Sequence, residues 1–185
     1  MFFLIVGLAV ALGLAGYMVM LYNGLVRSNN LVDEGWSGIE VQLKRRYDLI
    51  PNLVETVKGY DTHEKDTFEK IVALRNTAMS SDTATGKAEI ENQITGALKS
   101  IFALAEAYPE LKANENFKQL QQDLSKIEDE IQNARRYYNA TVRELNTKIQ
   151  VFPTSIFAGV LGFSTREYFE AKEGEKENVK VDFDQ

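Results

Sequence analysis

The chain opens with 22 predominantly apolar residues, MFFLIVGLAVALGLAGYMVMLY, which contain no charged side chain; Arg27 is the first. About 20 apolar residues in a helix cross the roughly 30 Å hydrocarbon core of a bilayer. A secretory signal is the alternative, but it carries a basic residue before a shorter apolar core. Nothing basic precedes Phe2. Residues 1–22 are therefore predicted to be a transmembrane helix.

Beyond this segment, apolar residues recur every three or four positions, the spacing of amphipathic helices. The first stripe consists of Trp36, Ile39, Leu43, Tyr47, Ile50, Val54 and Val57. It keeps its phase past Pro51, which predicts a kink there rather than the end of the helix. Shorter stripes predict helices at about 62–79 and 87–108, separated by the polar loop SSDTATG (80–86).

The last helix has the most regular pattern. Its apolar positions run from Phe117 to Phe152 at spacings of three and four, as in a coiled-coil seam. Asn114 or Asn116 is predicted to cap its first turn, and Pro153 to end it. Tyr138 lies on this seam, so its hydroxyl needs a partner, for which Asn52 or Asp48 is predicted.

These patterns predict an all-α chain whose N-terminal transmembrane helix continues into an antiparallel, up-and-down four-helix bundle of long, coiled-coil-like helices. The predicted domains are a transmembrane helix at 1–22, the bundle at 23–152, an apolar segment at 153–163 and a tail at 164–185. The tail holds eleven charged groups, seven of them acidic, and is expected to be solvated.

The predicted helix lengths place the apolar segment near the membrane. At about 1.5 Å per residue, the four helices rise about 57 Å, return about 24 Å, rise about 33 Å and descend about 58 Å. The chain should therefore return to the height of Tyr22. The following stretch, FPTSIFAGVLGF (152–163), is uncharged and too short to span a bilayer. We expect it to contact the membrane surface or a neighbouring subunit through Phe152, Ile156, Phe157, Val160, Leu161 and Phe163.

Small residues line two faces of the predicted span. Gly7, Ala11 and Ala15 recur every fourth residue, and Ala9, Gly13 and Gly16 form a second row. Small residues at this spacing let helix backbones approach closely in lipid, although Gly and Ala are also common in membrane helices generally. The pattern predicts association between membrane helices and hence a homo-oligomer.

Composition argues against several functional classes. A net charge of −6 and a pI of about 5.0 disfavour binding to nucleic acid, which needs a basic surface. The chain has no Cys and one His, His63, so a disulfide framework, a thiol nucleophile and a zinc or di-metal site are not expected. A glycine-rich phosphate loop and a nucleophile elbow are absent from the sequence. We predict neither a cofactor nor an enzymatic activity.

The basic run Lys44-Arg45-Arg46 avoids the apolar stripe and spreads around the helix rather than forming one flat patch. It is predicted to be a solvated turn with local ion pairs to Glu40 and Asp48. A subunit contact and a lipid headgroup or phosphate site are the alternatives. Charged residues of the last helix, including Glu128, are expected to form buried ion pairs that fix helix register.

Three long stretches together resemble the LemA family of bacterial membrane proteins. They are YNGLVRSNNLVDEGWSGIEVQLKRRYDLIPNLVETVKGYDTHEK, AEAYPELKANENFKQLQQDLSKIEDEIQNARRYYNATVRELNTKIQVFP and GFSTREYFE. The resemblance covers almost the whole chain and implies one N-terminal membrane helix, a short external N-terminus and a cytoplasmic bundle of long helices. It brings no catalytic residues or cofactor, and one relative's part in magnetosome membrane invagination implies membrane shaping. Gly35 and Gly38 depart from the family pattern and predict a bend.

These observations predict a non-enzymatic, membrane-anchored bundle that self-assembles as a scaffold at the bacterial inner membrane. The basic residues all follow the span, so the positive-inside bias places the bundle in the cytoplasm. The expected partners are the lipid bilayer and further copies of the chain. The alternative is an adaptor that presents the bundle to another membrane protein, such as a protease or envelope-stress component.

Overall fold

A computed structural model describes residues 1–60, 65–81 and 83–170, and it confirms the all-α prediction. Every regular element in these ranges is an α-helix. The helices are α1 (Phe2–Lys58), α2 (Lys65–Met79), α3 (Ala84–Ala105), α4 (Pro109–Ala113), α5 (Glu115–Gln150) and α6 (Thr154–Phe157). The start of the helix predicted at about 62–79, His63 and residues 171–185 of the predicted tail lie outside the described residues.

The N-terminal part of α1 is long and apolar enough to cross a membrane. Its 18-residue window has a mean hydropathy of 2.4, and none of that window is buried within the chain. A core helix of a soluble protein would bury such a surface. The helix continues without interruption through Pro51 to Lys58.

The ends of the middle helices differ from the sequence prediction for local reasons. The hydroxyl of Thr83 accepts a hydrogen bond from the Gly86 amide at 3.2 Å, so α3 begins at Ala84 within the predicted loop. Pro109 does not simply stop a helix: it occupies the first turn of the short helix α4, where its missing N–H costs nothing. Asn114 caps α5 as predicted, its Oδ1 accepting from the Phe117 amide at 3.1 Å.

The chain divides into two compact units, and both α1 and α5 contribute to each. The first unit comprises Met1–Gln42 and Glu130–Glu167, and the second comprises Leu43–Asp129 together with the described residues 168–170. The predicted stripes supply the buried cores. In the second unit the fully buried side chains of α1, α2 and α3 include Ile50, Ile71 and Ile101.

In the first unit, Gly35 allows α1 and α5 to approach closely. A Cβ atom at this position would lie 3.1 Å from the Tyr138 Cα, a separation that side chains rarely tolerate. The neighbouring Trp36 ring packs against the Tyr138 ring with centroids 5.5 Å apart. Gly38, by contrast, faces open space. Gly35 thus allows close helix packing, and the bend at Gly35 and Gly38 stays a prediction.

Candidate functional site

The apolar segment after α5 exposes one face. Backbone hydrogen bonds from Ser155 to Val151 and from Ala158 to Thr154 give it helical turns. Thr154 and Ala158 are buried, whereas Phe152, Ile156 and Val160 are 79%, 59% and 89% exposed. Ile156 lies within α6, Phe152 just before it and Val160 just after it. We call them the apolar face.

The same segment lies against the C-terminal end of the predicted membrane span. The ring of Phe163 contacts the ring of Tyr22, with centroids 5.8 Å apart. The preceding turn closes at Gly162, whose φ of +83° favours glycine, and the Phe163 amide donates to the Ala158 carbonyl at 2.9 Å. Phe157, Leu161 and Phe163 are partly buried. The segment that carries the apolar face is thus held beside the C-terminal end of the span by this turn and ring contact.

The chain after this turn is held against α5 by polar side chains. Asn146 donates to the Arg166 carbonyl at 2.9 Å and accepts from the Arg166 amide at 2.8 Å. The Tyr138 hydroxyl donates to the Glu167 carbonyl at 2.9 Å, and Arg166 also forms an ion pair with Asp33. The predicted partner of Tyr138, Asn52 or Asp48, was therefore wrong. We call residues 164–167 the strap; they are exposed, yet attached to α5 by these hydrogen bonds.

Burial raises the pKa of Tyr138 above its usual value of 10.0. The guanidinium of Arg166 opposes this shift, while the carboxylates of Glu167 and Asp33 add to it. The phenol therefore stays protonated at neutral pH and keeps donating to the strap.

The small residues of the span lie on the open surface of α1. Gly7, Ala9, Ala11, Gly13, Ala15 and Gly16 are all exposed within this chain. A Cβ atom at Gly7, Gly13 or Gly16 would meet nothing within 4 Å. The chain itself leaves both rows accessible, and helix association remains a prediction.

A buried charge cluster occupies the second unit and corrects the prediction for the basic run. Arg46 is only 2% exposed. Its guanidinium donates to Glu91 at 3.0 Å and to Thr95 at 2.8 Å, and it also pairs with Glu128. The cluster therefore ties α1 to α3 and α5. Arg46 is a core residue rather than part of a solvated turn.

The buried carboxylate of Glu91 has a second hydrogen-bond donor besides Arg46. Glu91 is 0% exposed and accepts a second hydrogen bond from the Tyr47 hydroxyl. Arg75 of α2 donates to the Tyr47 carbonyl at 2.8 Å. Lys44 behaves as predicted, forming an exposed i,i+4 ion pair with Asp48 at 3.2 Å. Glu128 confirms the expectation of an inter-helix ion pair on α5.

The sequence does indicate that Arg46 is buried, but only when the residues beside the apolar stripe are also considered. Arg46 lies three residues after Leu43, four before Ile50 and seven before Leu53, all of which are buried. Leu43 and Ile50 belong to the first stripe, so Arg46 and Leu53 widen the buried side of α1 beside that stripe. An arginine on that buried side requires an acidic partner, and Glu91 on α3 supplies it.

Within the described ranges, no group of three or more His, Asp or Glu side chains is arranged to hold a metal ion. The charge cluster has the chemistry of an inter-helix tie. Carboxylates, a guanidinium and hydroxyls are paired with one another rather than converging on a reacting atom.

Comparison with known proteins matches the LemA family model to residues 35–183, a range that includes the charge cluster, the apolar face and the strap. This chain belongs to the LemA family. Protein LemA of Metamycoplasma hominis is 30% identical over 158 residues, covering 85% of this chain and 72% of the relative. Magnetosome protein MamQ 2 of Paramagnetospirillum magneticum and magnetosome protein MamQ of Magnetospirillum gryphiswaldense are each 25% identical over 181 residues.

LemA membership and the unburied apolar helix together indicate a membrane-associated protein. Neither LemA nor MamQ is the name of an enzyme. The chain spans 66% of the length of the magnetosome relatives, so what those proteins do as a whole is not transferred to it here.

Proposed function

We propose that this LemA-family protein is a non-enzymatic scaffold of the bacterial inner membrane, anchored by α1 and self-assembled through its span. Its apolar face enters the interfacial layer of the same membrane and displaces lipid in one leaflet. The bundle then lies on the cytoplasmic side, as the distribution of Lys and Arg after residue 22 favours. Organising or shaping the bilayer is the resulting function.

The apolar face beside Tyr22 carries this proposal. Phe152, Ile156 and Val160 are mostly exposed although they lie next to a helix able to span a bilayer. Transferring their exposed fractions from water to an apolar layer is favourable by on the order of 3–7 kcal/mol. A shallow apolar element tied to a membrane helix occupies one leaflet more than the other, which is the geometry that bends a bilayer.

Self-assembly rests on the exposed small residues of the span. Rows of small residues spaced three or four positions apart allow helices to pack closely in lipid, where burial from water supplies no driving force. The magnetosome relatives fit the membrane-shaping role that the family resemblance implies.

The oligomeric state in mild detergent tests this function. Light scattering after size exclusion should report a mass of several chains at micromolar protein. The paired change Gly7→Leu with Ala11→Leu should shift that mass toward the monomer, because the added side chains separate the backbones. The control Leu8→Ile with Leu12→Ile keeps the apolar volume and should leave the mass unchanged. A monodisperse wild-type monomer would refute self-assembly.

Proximity cross-linking in cells separates the scaffold from an adaptor. A photoreactive group at Lys126, which is exposed on α5, should give mostly links between copies of the chain. One abundant foreign membrane protein in place of self-links would instead support the adaptor role.

A further inference from the structure

A groove of about 460 Å³ opens on the surface of the second unit, between α3 and α5. Its lining consists of Arg46, Thr95, Leu98, Lys99, Phe102, Lys118, Gln121, Gln122, Leu124, Ser125 and Glu128. A volume of this size is in the range of small-molecule sites. The charge cluster closes the groove at one end, and nothing in the scaffold function uses it.

The base of the groove is apolar. Leu98 and Leu124 are 4% and 3% exposed, so only a thin edge of each is open. Phe102 lies one helical turn beyond Leu98, and its ring contacts Phe117 with centroids 6.2 Å apart. From Thr95 to Phe102 the groove follows about 10 Å of α3. It therefore offers an apolar floor long enough for an aromatic ring or a medium-length alkyl chain.

The rim is positively charged in a protein whose net charge is −6. Lys99 on α3 and Lys118 on α5 both line the groove and are exposed. Neither has a carboxylate within 4 Å in the described part of the chain. The remaining charges of the lining, Arg46 and Glu128, form an ion pair. One ammonium group on each wall of the groove, beside an apolar floor, is an arrangement that favours an anion.

The closed end of the groove is polar. Arg46 is 98% buried and lines the groove, and its Nε–H, which has no hydrogen-bond acceptor among the described groups, is enclosed rather than open to a ligand. Gln121, Gln122 and Ser125 provide further polar contacts along the α5 wall.

We propose that this groove binds a small amphiphilic anion. Its apolar body lies on Leu98, Phe102 and Leu124, and its carboxylate or phosphate lies between Lys99 and Lys118. The same chemistry is offered by a free organic anion and by the phosphate of an anionic lipid. The site lies in the second unit and does not depend on the proposed scaffold function.

Calorimetry on the full chain in phosphatidylcholine nanodiscs tests the site, with empty nanodiscs as the baseline. The probes are 4-phenylbutyrate and hexyl phosphate, with 4-phenylbutylamine as the cation of matched shape. Both anions should bind at least tenfold more tightly than the amine. Equal binding of the amine would overturn the proposal, because the lysines would then not select charge.

Variants locate the binding. The double variant Lys99→Gln with Lys118→Gln should bind both anions at least tenfold more weakly. The control Lys126→Gln, on α5 but outside the groove, should change the affinity less than twofold. Ser125→Phe should also lower the affinity for both anions at least tenfold, because the added ring fills the groove without changing its charge. Its helical circular dichroism should match wild type. Unchanged binding by Ser125→Phe with its fold intact would place the anions elsewhere and overturn the proposal.

A second set of nanodiscs distinguishes the two sources of ligand. Replacing about a third of the lipid with phosphatidylglycerol should reduce the apparent affinity for hexyl phosphate if the lipid phosphate occupies the groove. The reduction should disappear in Ser125→Phe. An affinity that the lipid leaves unchanged supports a free anion as the ligand.

Discussion

Removing the guanidinium of Arg46 should destabilise the second unit strongly. The change Arg46→Met keeps the apolar stem but leaves Glu91, which is 0% exposed, without its positive partner. Breaking a buried ion pair from one side costs about 3–5 kcal/mol, because a charge stays buried and uncompensated. Glu128 is 27% exposed and can turn toward water, so Glu91 dominates the cost.

The matched control lies two residues away. Lys44→Met removes an ion pair with Asp48 whose side chains are 76% and 58% exposed, and such a pair contributes only a few tenths of a kcal/mol. In a chain of this size, 1 kcal/mol shifts the melting temperature by about 2–4 °C. Circular dichroism at 222 nm should therefore show a loss of about 6–20 °C for Arg46→Met and less than about 2 °C for Lys44→Met.

A third variant separates burial of charge from loss of packing. Arg46→Met combined with Glu91→Leu removes both buried charges and should recover at least half of the lost stability, since apolar replacements of buried pairs are often neutral. Hydrogen exchange of the α3 amides measures stability next to the cluster, and it should rank the variants in the same order as their melting temperatures. A melting temperature for Arg46→Met within 2 °C of wild type would refute the buried-cluster assignment.

Three further predictions concern the first unit. Gly35→Ala should cost about 1–3 kcal/mol by overpacking α1 against α5, whereas Gly38→Ala, in open space, should be neutral or stabilising by up to about 1 kcal/mol; thermal unfolding compares them. Asn146→Ala should speed hydrogen exchange at the Arg166 amide at least tenfold, because that amide donates to the Asn146 side chain, and an unchanged rate would contradict the strap. The raised pKa of Tyr138 stabilises the fold below pH 10, and this stabilisation should be lost as the pH rises through the raised value. The 295 nm difference between wild type and Tyr138→Phe should therefore reach its midpoint above pH 10, and a midpoint at or below pH 10 would contradict the burial of this phenol.

Periodicity predicts the helices of this protein because burial on one side of a helix imposes a repeat of three and four residues. Ile39, Ile50 and Val57 are each 0% exposed, as their stripe requires. Caps are also readable where one side chain decides them, as Asn114 does. The short helix α4 was not predicted: α3 ends at Ala105, before the predicted end at 108, and Pro109 fits the first turn of the next helix.

The polar interior was less predictable, since it depends on contacts between residues far apart in the sequence. Arg46 and Glu91 are 45 positions apart, and only the packing of α1 on α3 brings them together. Tyr138 needed an acceptor, but every residue has a backbone carbonyl, so the sequence does not reveal that the carbonyl of Glu167 accepts this hydrogen bond. The apolar segment could be foreseen because seven of its twelve residues are hydrophobic and none is charged.

The depth of the apolar face tests the central claim most directly. The chain has no Cys, so Phe152→Cys, Ile156→Cys and Val160→Cys each introduce one thiol for a spin label in nanodiscs. The account predicts that oxygen, which concentrates in lipid, relaxes these labels more than a water-soluble nickel chelate does. A label at the charged control position Lys126 should show the reverse. Labels at 152, 156 and 160 that the nickel chelate relaxes as strongly as Lys126 would contradict the claim.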